Sequence, residues 1–129
     1  MARNSQPAEA PATDSASFLP LQSRDFLILF VLSDGPLHGY GILKALEEAP
    51  GGAVHFDPAN LYRSLRRLER DGLVAEVDPG QDDDVEDRRR SFTLTTLGSE
   101  VLAAEARRLS RLAEAARTRE LVSDPGESR

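Results

Sequence analysis

A mainly α-helical domain with one small β-hairpin is the fold class this sequence predicts, and three stretches predict it. Residues 26–32 (FLILFVL) form a continuous apolar run closed by the turn residues Asp34-Gly35-Pro36. Residues 57–74 (DPANLYRSLRRLERDGLV) place leucines at helical spacing on one side and arginines on the other. Residues 97–117 repeat apolar side chains along a single long helix, directly after two short alternating segments. Together they give a helical domain of residues 18–95, a C-terminal helix of residues 96–121, and tails of residues 1–17 and 122–129.

The N-terminal tail is rich in Ala, Pro and Ser and has no hydrophobic period. It cannot bury enough apolar surface to offset its ordering entropy and is expected to be disordered. The run that follows could form a buried strand or a buried helix. Its extent, from Gln22 to Ser33, is long for a strand. Ser23 is a candidate N-cap, so a helix buried on most sides is expected. Residues 37–48 read as an amphipathic helix with Leu37, Tyr40 and Leu43 inward, joined by Ile42 and Leu46. Gly41 weakens that helix by up to about 1 kcal/mol relative to alanine. Pro50-Gly51-Gly52 ends it, and Val54-His55-Phe56 reads as a short extended piece.

The arginine-bearing segment carries its own start and stop. Asp57 can cap, and Pro58 stands at the first helical position, where its missing N–H costs nothing. Leu61, Leu65 and Leu68 share one face, with Arg63, Arg66, Arg67 and Arg70 around the other. Gly72 stops the helix. Val74-Ala75-Glu76-Val77 and Ser91-Phe92-Thr93-Leu94 then read as paired strands. A polar loop joins them, containing Pro79-Gly80, a cluster of acids and Arg88-Arg89-Arg90. Thr95 can cap the last helix. Leu102, Leu109 and Ala116 lie seven apart with Leu112 between them, an a/d-like seam. That stripe exceeds what a small domain can cover, and a second subunit is expected to cover it through Leu102, Leu109, Leu112 and Ala116.

Composition narrows the function. The chain has 129 residues, 40% hydrophobic, and no cysteine, which excludes disulfides and thiolate chemistry. No apolar run approaches the roughly 20 residues that span a bilayer. The N-terminus lacks the basic-then-apolar order of a signal peptide, so a cytoplasmic location is expected. The formal net charge is −6, but Asp78, Asp82, Asp83, Asp84, Glu86 and Asp87 account for it within one loop. The rest is balanced, and residues 57–70 are locally basic. The two histidines, His38 and His55, lack ligand spacing, and the acidic loop lacks the spaced ligands and closing glutamate of a calcium site. With no phosphate-cradling glycine loop and no nucleophile constellation, neither a cofactor nor an enzymatic activity is expected.

Two turn-linked helices, a third helix and a hairpin immediately after it make the layout of a winged helix-turn-helix. In that layout the third helix enters the DNA major groove, while the hairpin rests on the backbone. Asn60 and Arg63, near the start of the third helix, are the candidates for base contact. Arginine can grip guanine O6 and N7 with two hydrogen bonds. Arg66, Arg67 and Arg70 are candidates for phosphate, where cationic side chains displace counterions. For Arg67 the competing reading is an ion pair with Asp71, one helical turn on. His38 reads as a helix cap or a polar neighbour of the phosphate backbone. Arg89 and Arg90 either contact phosphate or neutralise the acids beside them. The acidic loop tip is expected to be solvated and to repel phosphates.

Several short motifs in fixed order resemble the PadR family of bacterial transcriptional regulators. They are Leu37-His38-Gly39-Tyr40, Leu61-Tyr62, Arg67-Leu68-Glu69 and Gly72-Leu73-Val74, then Arg88-Arg89-Arg90 before Phe92, and Leu94-Thr95 with Gly98. The resemblance covers about residues 26–102 and is closest to the smaller branch, with one C-terminal helix. It implies a homodimeric repressor of double-stranded DNA whose C-terminal helices pair. Several members are released by small effectors such as phenolic acids or drugs. It also implies a phosphate contact through the Tyr62 hydroxyl, against a half-buried packing role. Four positions depart from the family pattern. Gly41 replaces a common glutamate, Ala59 a common glycine and Ser91-Phe92 a frequent tyrosine pair, and the wing tip is acidic. The reading from another class is a winged-helix adaptor whose arginine face binds an acidic protein partner.

Overall fold

The computed structural model describes residues 14–50, 55–77 and 90–122. Its helices are α1 (Ser23–Leu32), α2 (Gly39–Glu48), α3 (Pro58–Arg70) and α4 (Thr96–Thr118), and its strands are β1 (Leu37–His38), β2 (Val74–Val77) and β3 (Ser91–Leu94). A short 3-10 helix, Ser15–Phe18, precedes α1.

The expected hairpin is β2 and β3, paired antiparallel with Val74 opposite Leu94 and Val77 opposite Ser91. A third strand joins it. β3 lies in the centre of the sheet, with β1 on its other edge, Leu37 opposite Phe92 and His38 opposite Ser91. Residues 37 and 38 were expected to be helical. They pair instead with the open edge of β3, and α2 starts at Gly39. Of residues 54–56, expected to be extended, residue 54 lies outside the described residues, and His55 and Phe56 belong to no strand.

Helical spacing selects the core. α1 buries Asp25, Ile28, Leu29 and Leu32, at i, i+3, i+4 and i+7. One face is thus fully buried, and Leu27 and Val31 on other sides pack partly buried against the core, leaving only Ser23 and Phe30 exposed. Phe26 and Phe30 stack on its flank, ring centroids 6.3 Å apart. Ser23 is the first helical residue and not the cap, since Gln22 holds that position without a side-chain bond. α2 contributes Ile42 and Leu46, and α3 contributes Leu61, Leu65 and Leu68. Tyr40, expected inward, is 62% exposed, because with α2 starting at Gly39 the inward face passes through Gly39, Ile42 and Leu46. Leu73, Val74, Phe92 and Val101 complete the core.

α3 ends in a Schellman motif. The Leu73 N–H donates to the Leu68 carbonyl and the Gly72 N–H to that of Glu69, both at 3.0 Å, with Gly72 at φ +84°. The same turn anchors α4. The Thr95 hydroxyl donates to the Gly72 carbonyl at 2.6 Å and accepts from the Gly98 N–H at 2.9 Å, and the Thr95 N–H donates to the Leu73 carbonyl at 3.1 Å.

Ordered structure begins before Phe18, because Asp14 caps the 3-10 turn through the Ala16 N–H and the turn packs on α4. The rest of the expected tail, residues 1–13, lies outside the described residues. Glu105, 1% exposed, ties this segment down. It accepts from the Leu21 N–H at 3.0 Å and pairs with Arg108 at 2.6 Å. The Arg108 hydrogen bonds, aided by Leu21, hold its carboxyl below the usual glutamate range against the opposing effect of burial. The unfolded chain takes up this proton more readily, so Glu105 stabilises the fold at neutral pH. That contribution fades as pH falls through the glutamate range. Glu105→Gln is expected to cost about 1–2 kcal/mol at neutral pH. Thermal unfolding at pH 7 and at about pH 3 checks this: the gap between variant and parent should narrow in acid.

Candidate nucleic-acid interface

The first turn of α3 holds two polar side chains in one arrangement. Asp57 accepts from the Asn60 N–H at 2.8 Å and from the Asn60 amide Nδ2 at 3.4 Å. With that amide spoken for, the Asn60 Oδ1 faces the next turn and accepts from Arg63 Nη2 at 2.8 Å. The guanidinium keeps its remaining donors for an acceptor outside the helix. At 100° per residue, Ala59, Tyr62, Arg63, Arg66 and Arg70 fall within an arc of about 100°, opposite the buried leucines. Arg63, Arg66 and Arg70 are exposed along this strip.

Tyr62 crosses from α3 to α2. Its hydroxyl lies against Gly39, where a Cβ would collide with it. Gly39 is buried, and Tyr62 stays partly open to solvent. Gly39→Ala is expected to push the Tyr62 ring outward and to cost about 1 kcal/mol. Tyr62→Ala in the same chain should recover most of that loss in thermal unfolding, because it removes the obstructing atoms. His38 caps α2, its Nδ1 accepting from the Gly41 N–H at 3.4 Å.

Arg67 sits on the shoulder of the strip. Its ion pair is not with Asp71, the partner suggested by spacing. Its Nη1 and Nη2 donate to the two oxygens of Asp25 on α1, each at 3.0 Å. The Asp25 hydrogen bond raises its pKa further, so the guanidinium stays charged. Arg90 pairs with Glu76 on the neighbouring strand at 3.0 Å. Both partners are exposed, and such a pair contributes little. Arg89 and the acidic loop lie outside the described residues.

On α4, Leu102, Leu109 and Ala116 are half-buried and Leu112 is 53% exposed. Spacing alone did not single out Asp25, Glu105 or Gly39. Two signals were nonetheless present. Asp25 abuts seven apolar residues, where a buried carboxylate needs a cation. Glu105 stands one turn beyond Val101, on the core side of α4. Among the described residues, no cluster of His, Asp and Glu could hold a metal ion. No described helix is long and apolar enough to cross a membrane.

A family model described as the transcriptional regulator PadR-like family matches residues 28–104. An uncharacterised 37.1 kDa protein in transposon TN4556 of Streptomyces fradiae is 41% identical over 86 residues, 67% of this chain. The chain spans 23% of the length of that relative. A PadR family transcription regulator from Clostridium difficile R20291 superposes with a TM-score of 0.65 at 21% identity, over 75% of this chain and 97% of that one. Bacillus subtilis PadR in complex with operator DNA superposes with a TM-score of 0.55 at 24% identity, over 64% of this chain and 47% of that one. At these identities the two structures share its fold.

Proposed function

The chain belongs to the PadR-like family of transcriptional regulators, which are not enzymes, and from that premise we propose that it is a cytoplasmic homodimeric repressor that binds an inverted-repeat operator through α3. The observation that carries this reading is the Asn60–Arg63 pair, fixed by Asp57 at the start of an exposed basic strip. Base readout needs such preorganised donors at the leading end of a recognition helix. Arg66 and Arg70 bind phosphate farther along, and Arg89 and Arg90 reach the backbone from the wing. The Tyr62 hydroxyl, above the N-terminus of α2, meets a phosphate there, with His38 alongside. The fold shared with a PadR protein in complex with operator DNA supports DNA as the partner.

Dimerisation follows from α4. Its first turns bury Gly98, Val101 and Glu105 in the domain, while Leu109, Leu112 and Ala116 continue the stripe beyond it. Pairing two such helices presents two α3 helices to one duplex, with half-sites about 34 Å apart. Leu112→Lys is expected to yield a monomer in sedimentation at micromolar concentration, with the domain still folded. The stacked Phe26 and Phe30, open on one side, offer a flat aromatic surface to a planar effector that releases DNA.

Selection of bound sequences from a random duplex pool tests the whole reading. An enriched inverted repeat is the expected result. A pool that stays random after selection would remove the operator-binding function.

A further inference from the structure

Arg67 was grouped by sequence with the phosphate-binding arginines, yet its surroundings differ from theirs. Asp25 lies in the first turn of α1, its side chain only 8% exposed. Both of its oxygens are taken by the two terminal nitrogens of Arg67, each at 3.0 Å. The Arg67 side chain is 40% exposed, so the guanidinium sits at the edge of the core, with its two terminal nitrogens turned onto the buried carboxylate. A planar fork on a planar carboxylate fixes distance and twist together, as a point charge does not. Four residues separate Arg67 from Arg63, one turn of the same helix.

We propose that Arg67 is a positioning residue that, through Asp25, sets the rotation of α3 on α1 and thereby the aim of Asn60 and Arg63, and that it is not a phosphate contact. The proposal rests on the reading of α3 as the DNA-reading helix. To reach a phosphate, Arg67 would have to leave a buried carboxylate unpaired. The penalty for that exceeds the gain from one contact at a solvated backbone. Arg66 stands on the exposed strip with no such tie among the described residues, and its role is the contrasting one.

Titrating the selected operator and a random duplex at several salt concentrations separates the two roles. Arg67→Lys keeps the charge and loses the fork. Asp25→Asn removes no cation at all. Each is expected to weaken operator binding by about tenfold, while the slope of log affinity against log salt stays as in the parent. Random-duplex affinity should hold within about twofold. Arg66→Ala should instead lower the slope by about one per half-site and weaken both duplexes. As a second measurement, Asn60 and Arg63 amide resonances of the free protein should shift in Asp25→Asn, which also reports whether the variant is folded. Parental operator affinity in Arg67→Lys or in Asp25→Asn, or a loss in either accompanied by a smaller salt slope, overturns the proposal. A parent chain with no salt-dependent duplex binding overturns the DNA reading itself.

Discussion

Gly98→Ala is expected to destabilise the domain by about 3 kcal/mol, against the gain of about 1 kcal/mol that helix propensity alone forecasts. The propensity argument treats α4 as an isolated helix. In the fold, a Cβ at position 98 would run into the Leu73 backbone, meeting its carbonyl oxygen head-on and its carbonyl carbon at 2.9 Å. That backbone cannot yield. The Leu73 N–H closes the end of α3, its carbonyl receives Thr95, and its side chain is buried. Overpacking against fixed main chain therefore outweighs the entropic gain. The shift in Tm should be roughly 10–20 °C downward for a domain of this size. Gly41→Ala is the internal control. Its Cβ would meet Leu37 Cδ2 at 3.5 Å, Leu37 Cβ at 3.7 Å and His38 Cε1 at 3.8 Å, all ordinary contacts. Here propensity should win, with a gain of up to about 1 kcal/mol. A Gly98→Ala chain as stable as its parent would contradict the close approach of α4 to the α3–β2 turn.

Arg63→Ala should leave stability within about 0.5 kcal/mol, because the side chain is exposed and its bond to Asn60 is local. Its effect on DNA should be large. Losing a bidentate base contact costs about 1–3 kcal/mol per half-site, roughly 5- to 150-fold each, and the proposed dimer loses two. The loss should fall on one base position of each half-site, where sequence preference relaxes. Arg63→Lys should recover little, since an ammonium cannot reproduce the fork. Equilibrium binding to the operator and to single-base variants reads this directly. A uniform weakening across all variants would move Arg63 to the phosphate-binding group.

Much of the fold was legible because its signals are local. Asp57-Pro58 caps α3 within four residues, Leu61, Leu65 and Leu68 mark its buried face, Gly72 ends it and Thr95 opens α4. What was not legible depends on partners far along the chain. Leu37 and His38 look helical until Phe92 and Ser91 offer a strand edge. Tyr40 looks apolar enough for the core until the start at Gly39 turns it outward. Arg67 has a plausible partner in Asp71, but Asp25, 42 residues away, is buried and must be paired. The candidate site divides the same way. The Asn60–Arg63 pair follows from spacing within one helix, while the contact of Tyr62 with Gly39 needs the packing of α2 on α3.

The joint at Gly72, Leu73, Thr95 and Gly98 has a mechanical consequence. It clamps the root of α4 to the tip of α3, so α4 behaves as a stiff lever of about 35 Å with its fulcrum beside the helix proposed to read DNA. A tilt of about 5° at that fulcrum sweeps the far end, near Thr118, through about 3 Å. Small reorientations of α3 on a duplex are thus amplified at the distal end of α4. In the opposite direction the gearing reverses: a coarse push on the far end of α4 becomes a fine adjustment of α3.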